Sequence, residues 1–357
     1  MIKSISSYLL VLYIAVLNCL VQGELLQYPV SSPNISCNGH NLLCDRGFNR
    51  VVSLTTRSSF TLADPSKGVI GTQTLTVEDQ LKNGVRGLTI TLFPTPNDPK
   101  SVSTCLGDCS INNGGTLLSA LTRIYSWLNQ DANLNEIVSI YLDNPNRVDL
   151  TLVNDAFIKS KISSMIFVKT TSNTWPTLRQ MISSKKRVVV LESDQLGLTP
   201  QLSFVAPYTT VVFETAKSVN YTATGFDCGP YGVAPAASLF VINHLNTKPL
   251  TINGKQFAFM PDPNLQSVIN NDTLALHSMG CMASHGIVWI THTIVDFYSP
   301  GILDRITRGF NGLPQPNESY KEYVPNFKKS SSTTSTSKFS ISLTLLSISL
   351  LLSLFYL

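Results

Sequence analysis

The side chains best suited to acid–base chemistry in this 357-residue chain are its five histidines. Imidazole titrates near neutrality, so one histidine can take a proton and another can give one during a hydrolytic reaction. Sequence context favours structural roles for two of them: a packed strand end for His244 in INHLN, and a core position for His292 in WITHTIVDFY. The others lie in a small cysteine loop or beside Cys281, and they are His40, His277 and His285.

A second chemical signal lies in LTTRSSF (54–60), which follows the apolar pair Val51-Val52 and is typical of a loop leaving a buried strand. Threonine does not act as a base near pH 7, and arginine stays protonated. A fixed cation such as Arg57 can hold a phosphate group through paired hydrogen bonds. The loop is therefore either a place to bind an anion or a solvated connection, and both interpretations stay open.

Eight short apolar runs must position these residues, and they predict strands because parallel strands buried on both faces are almost continuously apolar. The runs are 50–56, 85–93, 136–143, 165–169, 187–193, 210–215, 238–245 and 286–298. Helical spacing of apolar residues predicts helices between them, most clearly over 115–131 and 174–185. This alternation indicates a single-domain α/β fold, a TIM-type (β/α)8 barrel. An open doubly wound sheet is the alternative, although no GxGxxG motif follows the first strand.

Polar and acidic residues lie at the predicted carboxyl ends of several strands. Glu214 ends the sixth strand, Asn243 and His244 end the seventh, and Asp296 lies late in the eighth. Because barrel pockets lie at this face, we expect a polar cavity there. Each of the four residues is a candidate binding residue, and each is also explained as a satisfied strand-end cap.

The amino terminus predicts a secretory signal peptide over residues 1–23. Lys3 precedes the apolar run YLLVLYIAVL (8–17), and VQG (21–23) precedes Glu24. The run is shorter than the ~20 residues of a membrane-spanning helix, which is the competing interpretation. We expect the folded domain to cover residues 24–320.

The carboxyl terminus predicts a glycosylphosphatidylinositol (GPI) anchor. A spacer rich in serine and threonine (321–340) precedes an uncharged apolar tail (341–357). A stop-transfer helix normally has basic residues on its cytoplasmic side, and no residue follows this tail. In a GPI signal the tail is removed, and Ser330 is the expected attachment residue. A tail-anchored helix is the alternative.

Seven cysteines are present, and Cys19 belongs to the predicted signal peptide. The other six are an even number in an exported chain, which predicts three disulfides. Sequence proximity favours Cys37–Cys44 and Cys105–Cys109 among the many pairings allowed, and this leaves Cys228–Cys281. Four sequons for N-glycosylation agree with export, and they are Asn34, Asn220, Asn271 and Asn317.

Charge and metal-ligand patterns limit the partners of the chain. Lysine and arginine number 26 against 22 aspartates and glutamates. A nucleic-acid-binding protein needs a clustered excess of cations, so we expect no nucleic-acid partner. No CxxC pair with histidine spacing is present, and no acidic cluster lies in the first two predicted loops. We therefore expect no metal and no cofactor, and a monomeric barrel.

The segment CNGHNLLCDRGFNRVVSLTTRSSF (37–60) resembles the opening of fungal secreted and GPI-anchored proteins related to phosphatidylinositol-specific phospholipase C. That family opens with CNG and LCDR, followed by a strand and a G-A-H-D/N-S loop. The resemblance continues in order through VEDQLKNGVRGL (77–88), CLGDC (105–109), 114–142, 174–191, VVFET (211–215), LFVINHLN (239–246) and VDFY (295–298). It implies the PLC-like phosphodiesterase barrel, in agreement with the strand count.

Active members of this family cleave a phosphodiester with two histidines. The resemblance implies that one histidine, on the loop after the first strand, is the base toward the inositol 2-hydroxyl. The other, after the second strand, is the acid toward the leaving alcohol. An acidic residue beside the first histidine and an arginine on the second strand help to hold the phosphate.

This chain departs from the family at those positions. Alignment of LTTRSSF with the family loop places Thr56 at the first histidine and Arg57 at its acidic neighbour. Alignment of CLGDC places Leu106 at the second histidine, and Thr89 and Thr91 stand where bacterial members have an aspartate and an arginine. Neither threonine nor leucine transfers a proton near pH 7, so we expect the catalytic site to be degenerate.

The resemblance thus implies a GPI-anchored surface protein whose barrel has lost the parent catalysis and now binds or scaffolds, with phosphoinositol or another phosphodiester as ligand. The alternative is an active phosphoric diester hydrolase that uses rearranged groups, with His244, Glu214 and Asp296 as its catalytic residues. A folded spacer in the cell wall is a third interpretation.

Overall fold

The computed structural model describes residues 35–169, 174–192, 198, 201–206, 211–216, 227–231, 239–252, 255–262 and 266–315. All of them belong to the first of two compact units, Met1–Pro325. The predicted signal peptide, the GPI tail with Ser330, and the sequons at Asn34, Asn220 and Asn317 lie outside the described residues. In the described part of the chain, no helix combines the length and the apolar character needed to cross a membrane.

The strands and helices within these ranges alternate along much of the chain. The strands are β1 (Ser53–Thr56), β2 (Gly87–Thr95), β3 (Asp98–Leu106), β4 (Asp108–Thr116), β5 (Val138–Asp143), β6 (Val188–Glu192), β7 (Val205–Ala206), β8 (Val212–Thr215), β9 (Pro230–Tyr231), β10 (Leu239–His244), β11 (Thr247–Ile252), β12 (Lys255–Pro261) and β13 (His292–Val295). The helices are α1 (Val77–Lys82), α2 (Leu117–Leu128), α3 (Leu150–Lys159), α4 (Leu178–Ser183), α5 (Gln266–Ile269), α6 (Asp272–His285) and α7 (Ile302–Phe310).

The main sheet has the strand order β7-β6-β5-β2-β1-β13-β10-β8-β9. Eight of these strands, all except β9, pair in parallel with a neighbour. Within the described residues no pairing joins β7 to β8, so the eight strands form a half-barrel. The predicted parallel α/β barrel class is confirmed.

One strand prediction is wrong, and the antiparallel pairs β3–β4 and β11–β12 were not predicted. The run 165–169 forms no strand: a 3-10 helix covers Ile162–Met165, and Ile166 makes only an isolated bridge with Val188. The parallel strand after β6 is instead the two-residue β7. Such short apolar runs fit a strand or a buried turn equally well. The antiparallel strands β3 and β4 branch from β2 within the same sheet, and their largely polar sequences were not recognised as strands.

Buried apolar residues form three clusters, and the two larger ones lie on the two sides of the sheet. Leu88 and Ile90 of β2 belong to one cluster with Leu121 and Ile124 of α2. The residues of the other cluster include Tyr141, Val189, Leu191, Val241 and Ile294 of β5, β6, β10 and β13. Consecutive residues of a strand point to opposite faces, so the near-continuous apolar runs serve both clusters.

Side-chain caps determine where the helices begin. Thr116 ends β4 and accepts a hydrogen bond from the backbone N–H of Ser119, so α2 begins at Leu117, inside the predicted range. Thr177 and Gln180 form a capping box at the start of α4. These caps satisfy backbone donors that the first helical turn leaves without partners.

A polar layer crosses the barrel interior around His292, which is fully buried. Its Nδ1 lies 3.0 Å from the hydroxyl of Thr55, and its Nε2 lies 3.4 Å from the hydroxyl of Ser139. Thr55 stands opposite Gly87 in the β1–β2 register. A Cβ at Gly87 would lie 2.1 Å from the Thr55 hydroxyl, so the close approach of these strands requires glycine there.

The structure contains three disulfides, Cys37–Cys44, Cys105–Cys109 and Cys228–Cys281. These are the pairs that sequence proximity favours. The first closes the amino-terminal loop, the second spans the turn between β3 and β4, and the third ties the segment before β9 to α6.

Candidate functional site

The hydroxyl of Thr56 lies inside a polar network at the carboxyl end of β1. Thr56 is fully buried and donates a hydrogen bond to Oε1 of Gln80 at 2.7 Å. The hydroxyl of Ser59 lies 2.8 Å from the hydroxyl oxygen of Thr56. Gln80, on α1, in turn donates through Nε2 to the carbonyls of Ser59 and Leu75. Thr56 is therefore a structural residue whose hydroxyl is enclosed by protein.

Arg57 and Asp296 form a bidentate ion pair across the β1–β13 edge. Nε and Nη2 of Arg57 donate to the two oxygens of Asp296 at 2.8 and 2.7 Å. The Arg57 side chain is 18% exposed, whereas that of Asp296 is 1% exposed. Burial raises the pKa of Asp296, and the positive charge and hydrogen bonds of Arg57 act in the opposite direction. The cation is thus the only part of the pair that reaches solvent.

The backbone around Arg57 is held as firmly as its side chain. Its carbonyl accepts hydrogen bonds from Oγ1 of Thr72 at 2.8 Å and from Nε2 of Gln73 at 3.0 Å. Its N–H donates to the carbonyl of Val295 at 3.0 Å. Gln73 also donates to the carbonyl of Val295 and accepts from the N–H of Tyr298. The loop after β1 is consequently tied to β13 by both backbone and side chain.

Thr89 and Thr91 of β2 adjoin the same loop. The N–H of Ser58 donates to the hydroxyl of Thr89 at 2.6 Å, and the hydroxyls of Ser58 and Thr91 lie 3.4 Å apart. The crevice that these three residues line with Cys105 is too narrow to hold a water molecule. Leu106 follows Cys105 at the end of β3 and is buried. This part of the site is filled by protein.

The structure separates Asn243 from His244. Asn243 donates through Nδ2 to Oε2 of Glu214 at 3.2 Å and to the carbonyl of Thr215 at 2.6 Å. His244, the next residue on β10, has its ring against α5 and α6. Nδ1 of His244 lies 3.0 Å from Nδ1 of His277, and Nε2 lies 2.6 Å from the carbonyl of Ile269.

The three residues of the alternative catalytic set, His244, Glu214 and Asp296, have different partners in the structure. Neighbouring strand residues point to opposite faces, so His244 lies on the helix side while Asn243 contacts Glu214. Asp296 pairs with Arg57. The described contacts do not join the three residues into one site.

The three buried histidines are uncharged at neutral pH. Burial lowers the pKa of His244 to about 4. It lowers the pKa of His277 to about 3, with a further contribution from the charge of His244. Burial alone lowers the pKa of His292 to about 3. None of these imidazoles can exchange protons with substrate near neutrality in its buried position.

One group in the described part of the chain has the ligand types and spacing of a metal site. The atoms of Cys228, His277 and Cys281 lie within 4.8 Å of one another. However, Cys228 and Cys281 are joined in a disulfide, and metal coordination requires thiolates. While this disulfide is intact, the group serves to hold α6 and not to bind a metal.

Sequence reasoning missed the residues that surround Thr56 and Arg57, namely Ser59, Thr72, Gln73 and Gln80. Gln80 alone carries a local signal, because it lies between the buried Val77 and Leu81 on the inner face of α1. A polar residue on an apolar helix face indicates a buried hydrogen-bonding partner. No motif marks the other three.

The comparison with known proteins identifies the class. The family described as PI-PLC X 1 matches residues 43–284, which is more than half of the chain. The chain therefore belongs to the PI-PLC X family, and the resemblance found in its sequence is confirmed.

Two curated relatives come from the fungus Arthroderma benhamiae. One, named PI-PLC X domain-containing protein 1, is 27% identical over 297 residues, covering 79% of this chain and 92% of that protein. The other, named an uncharacterized secreted protein, is 26% identical over 258 residues, covering 70% of this chain and 55% of that protein. This chain thus spans about half the length of the second relative.

Solved structures of bacterial enzymes resemble the chain at lower identity. The phosphatidylinositol-specific phospholipase C of Listeria monocytogenes is 16% identical with a TM-score of 0.46, covering 73% of this chain and 93% of that one. A single-site mutant of the S. aureus enzyme is 17% identical with a TM-score of 0.48, covering 76% and 94%.

We expect the Arg57→Gln variant to lose roughly 2–4 kcal/mol of unfolding free energy at pH 7, because it leaves the Asp296 carboxylate buried without this partner. The double variant Arg57→Gln/Asp296→Asn should lose much less than the sum of the two single variants. Urea unfolding of the four proteins measures this coupling. Lys67→Gln is the control, because its exposed pair with Asp64 should contribute close to nothing. Strict additivity would show that the buried pair does not stabilise the fold.

The buried histidines predict that stability falls as the pH falls below about 6.5. Their folded pKa values of about 3 to 4 lie below the unfolded value of 6.5, so the unfolded chain binds protons first. The stability that the neutral histidines contribute is fully present above pH 6.5, and it is lost as the pH falls toward their folded-state pKa values. Each histidine adds a slope of up to ~1.4 kcal/mol per pH unit.

Urea unfolding at several pH values from 7.5 to 5 measures this slope. The His292→Gln variant removes one of the three groups. The slope of its unfolding free energy against pH should therefore be smaller by the equivalent of about one proton taken up on unfolding, whatever its absolute stability. A second series from pH 7.5 to 8.5 is the control and should be nearly flat. An unchanged slope in the variant would contradict the assignment of His292 as a buried neutral imidazole.

Proposed function

We propose that this protein is a GPI-anchored extracellular member of the PI-PLC X family that has lost acid–base catalysis and acts by binding or scaffolding. The observation that carries the proposal is the state of the two residues at the expected histidine positions. Thr56 is buried with its hydroxyl bonded to Gln80 and beside Ser59, and Leu106 is a buried apolar residue. Neither can take or give a proton near pH 7.

The loss is large in energetic terms. A positioned general acid or base contributes about 10²–10⁴-fold each to such a reaction. Replacement of both groups would therefore leave little of the parent activity. In the described part of the chain the buried imidazoles are occupied elsewhere, at α5 and α6 or in the barrel interior. This supports a protein that does not cleave phosphodiesters.

Arg57 is the residue best placed to meet a ligand at this face. The arginine is partly exposed, while the carboxylate that balances it lies beneath the surface. An incoming phosphate would share the guanidinium with Asp296 and would therefore bind more weakly than at an unbalanced arginine. Phosphoinositol or another phosphodiester is the ligand class that the family name supports.

The cellular location rests on the sequence signals and on one relative. The order of residues 1–23 supports secretion, and the similar protein from Arthroderma benhamiae is named as secreted. Three disulfides are typical of chains that fold in an oxidising compartment. The spacer and the apolar tail after Ser330 support a GPI anchor, and the membrane is then a partner through that anchor.

We expect the native full-length protein, expressed in a eukaryotic secretory host, to release no detectable product from phosphatidylinositol or from a generic phosphodiester. The variant Thr56→His/Arg57→Asn/Leu106→His should gain turnover, because it restores both proton-transfer groups. Asparagine is chosen at position 57 because an aspartate there would place a second carboxylate beside Asp296. Product release is measured for both proteins under identical conditions.

The matched control is Thr56→Val, which keeps the shape of Thr56 and removes its hydroxyl. It should leave the absence of activity unchanged. Thermal unfolding shows whether the triple variant is folded. If it is not folded, the assay of the native protein alone tests whether the barrel cleaves phosphodiesters. Turnover by the native protein would contradict the proposal, and loss of that turnover in His244→Asn would favour the alternative catalytic set.

The GPI anchor predicts that the mature chain lacks residues 331–357. Mass spectrometry of the carboxyl-terminal peptide should show a modified serine at position 330, and a variant that ends at Lys329 should appear in the culture medium. A mature chain that retains the peptide 341–357 would contradict the anchor and indicate a tail-anchored helix.

A further inference from the structure

A cavity of about 310 Å³ lies at the amino-terminal ends of β1 and β2, opposite the face that holds Thr56 and Arg57. Its wall includes Val51 and Val52 before β1, the turn Lys82–Gly84 between α1 and β2, and α7. Ligand pockets in proteins begin at about this size. Such a volume at the amino-terminal face is not needed for the family's chemistry, because barrel active sites lie at the other face.

Cations outnumber anions around this cavity. Lys82, Arg86 and Arg308 line it, together with the single carboxylate of Asp304. The charge of Arg86 is already balanced by Glu136 at 2.7 Å, and its Nη1 donates to two backbone carbonyls. The two remaining cations, Lys82 and Arg308, are available to a ligand.

The available cations differ in how they are held. Lys82 is exposed, and within the described residues it makes no hydrogen bond or ion pair. Arg308 is anchored by Nε and Nη2, which both donate to the carbonyl of Pro314. A fixed guanidinium and an exposed ammonium can each donate a charge-assisted hydrogen bond to an oxyanion.

Asp304 offsets part of this positive charge but is itself engaged. Its oxygens accept hydrogen bonds from the hydroxyl of Tyr298 at 2.9 Å and from the N–H of Gly301 at 2.6 Å. It lies one turn before Arg308 on α7, and burial raises its pKa. One carboxylate therefore stands against two cations.

The neighbouring His40 lies close enough to Arg308 and Arg46 for their charges to act on it. Burial lowers the pKa of His40, and the charges of Arg308 and Arg46 lower it further. His40 follows Gly39, which lines the cavity.

The inner wall of the cavity is apolar. Leu43, Val51, Leu54 and Leu313 line it, and all four are buried. Asn311 adds no free polar group toward Val52, because its side chain exchanges two hydrogen bonds with the Val52 backbone, at 2.9 and 2.8 Å. A ligand would thus meet cations at the rim and aliphatic carbon beneath.

We propose that this cavity is a second ligand site, which takes a small organic anion with a phosphate or carboxylate group at Lys82 and Arg308 and an apolar body against Leu43 and Leu313. The site is independent of the proposed function, because it uses none of the residues at the carboxyl-terminal face. It remains testable whether or not the barrel cleaves phosphodiesters.

Titration calorimetry on the full-length protein tests the site with four probes: butyl phosphate, butyrate, butanol and inorganic phosphate. We expect butyl phosphate or butyrate to bind, and the tighter of the two identifies the anionic group. Butanol and inorganic phosphate should each bind at least about tenfold more weakly, because each lacks one half of the recognised chemistry. Lys82→Gln should weaken binding of the organic anion about tenfold, as expected for the loss of one charge-assisted contact.

Two further variants complete the experiment. Thr307→Phe places an aromatic ring in the cavity from α7 and should abolish binding, with its fold checked by thermal unfolding. Lys100→Gln, at the exposed start of β3 near the other end of β2, is the matched control and should bind like the native protein. The proposal is overturned if no probe binds at millimolar concentration, if inorganic phosphate binds as well as butyl phosphate, or if Lys82→Gln and Lys100→Gln bind equally.

Discussion

Burial of the loop after β1 is the constraint on which the rest of the site depends. A buried loop must find a partner for each of its polar groups, since an unsatisfied group costs free energy comparable to a lost hydrogen bond. Here Gln80 of α1 accepts from Thr56, the Thr72–Gln73 segment binds the carbonyl of Arg57, and Asp296 binds its guanidinium. The loop therefore joins α1, the 72–73 segment and the end of β13 into one polar unit.

The same partners explain why the loop is unsuited to proton transfer. A general base must be reachable by substrate and must titrate near the working pH. The Thr56 hydroxyl is enclosed, and Arg57 is bound to a carboxylate whose pKa burial raises. In the function proposed above, the positions that the family resemblance associates with catalysis carry side chains that hold this loop in place.

The fold could be predicted from the sequence better than the site could. Strands such as β5 and β6 are buried on both faces, so their apolar runs are continuous and easily recognised. The run 165–169 was wrongly predicted as a strand, because five mostly apolar residues are too few to distinguish a strand from a buried turn. Arg57 was a candidate from its loop, but Asp296 lies 239 residues away, and only the closure of β1 against β13 brings them together.

Charge balance distinguishes the two ends of β1. At the carboxyl end, the partly exposed Arg57 stands directly on the buried carboxylate of Asp296. At the amino end, Lys82 and Arg308 stand against Asp304, whose oxygens are already bonded to Tyr298 and Gly301. Attraction of an incoming anion depends on the charge that remains unbalanced. Among the described residues, Arg57 is therefore balanced by its own partner, whereas Lys82 and Arg308 stand against the single carboxylate of Asp304.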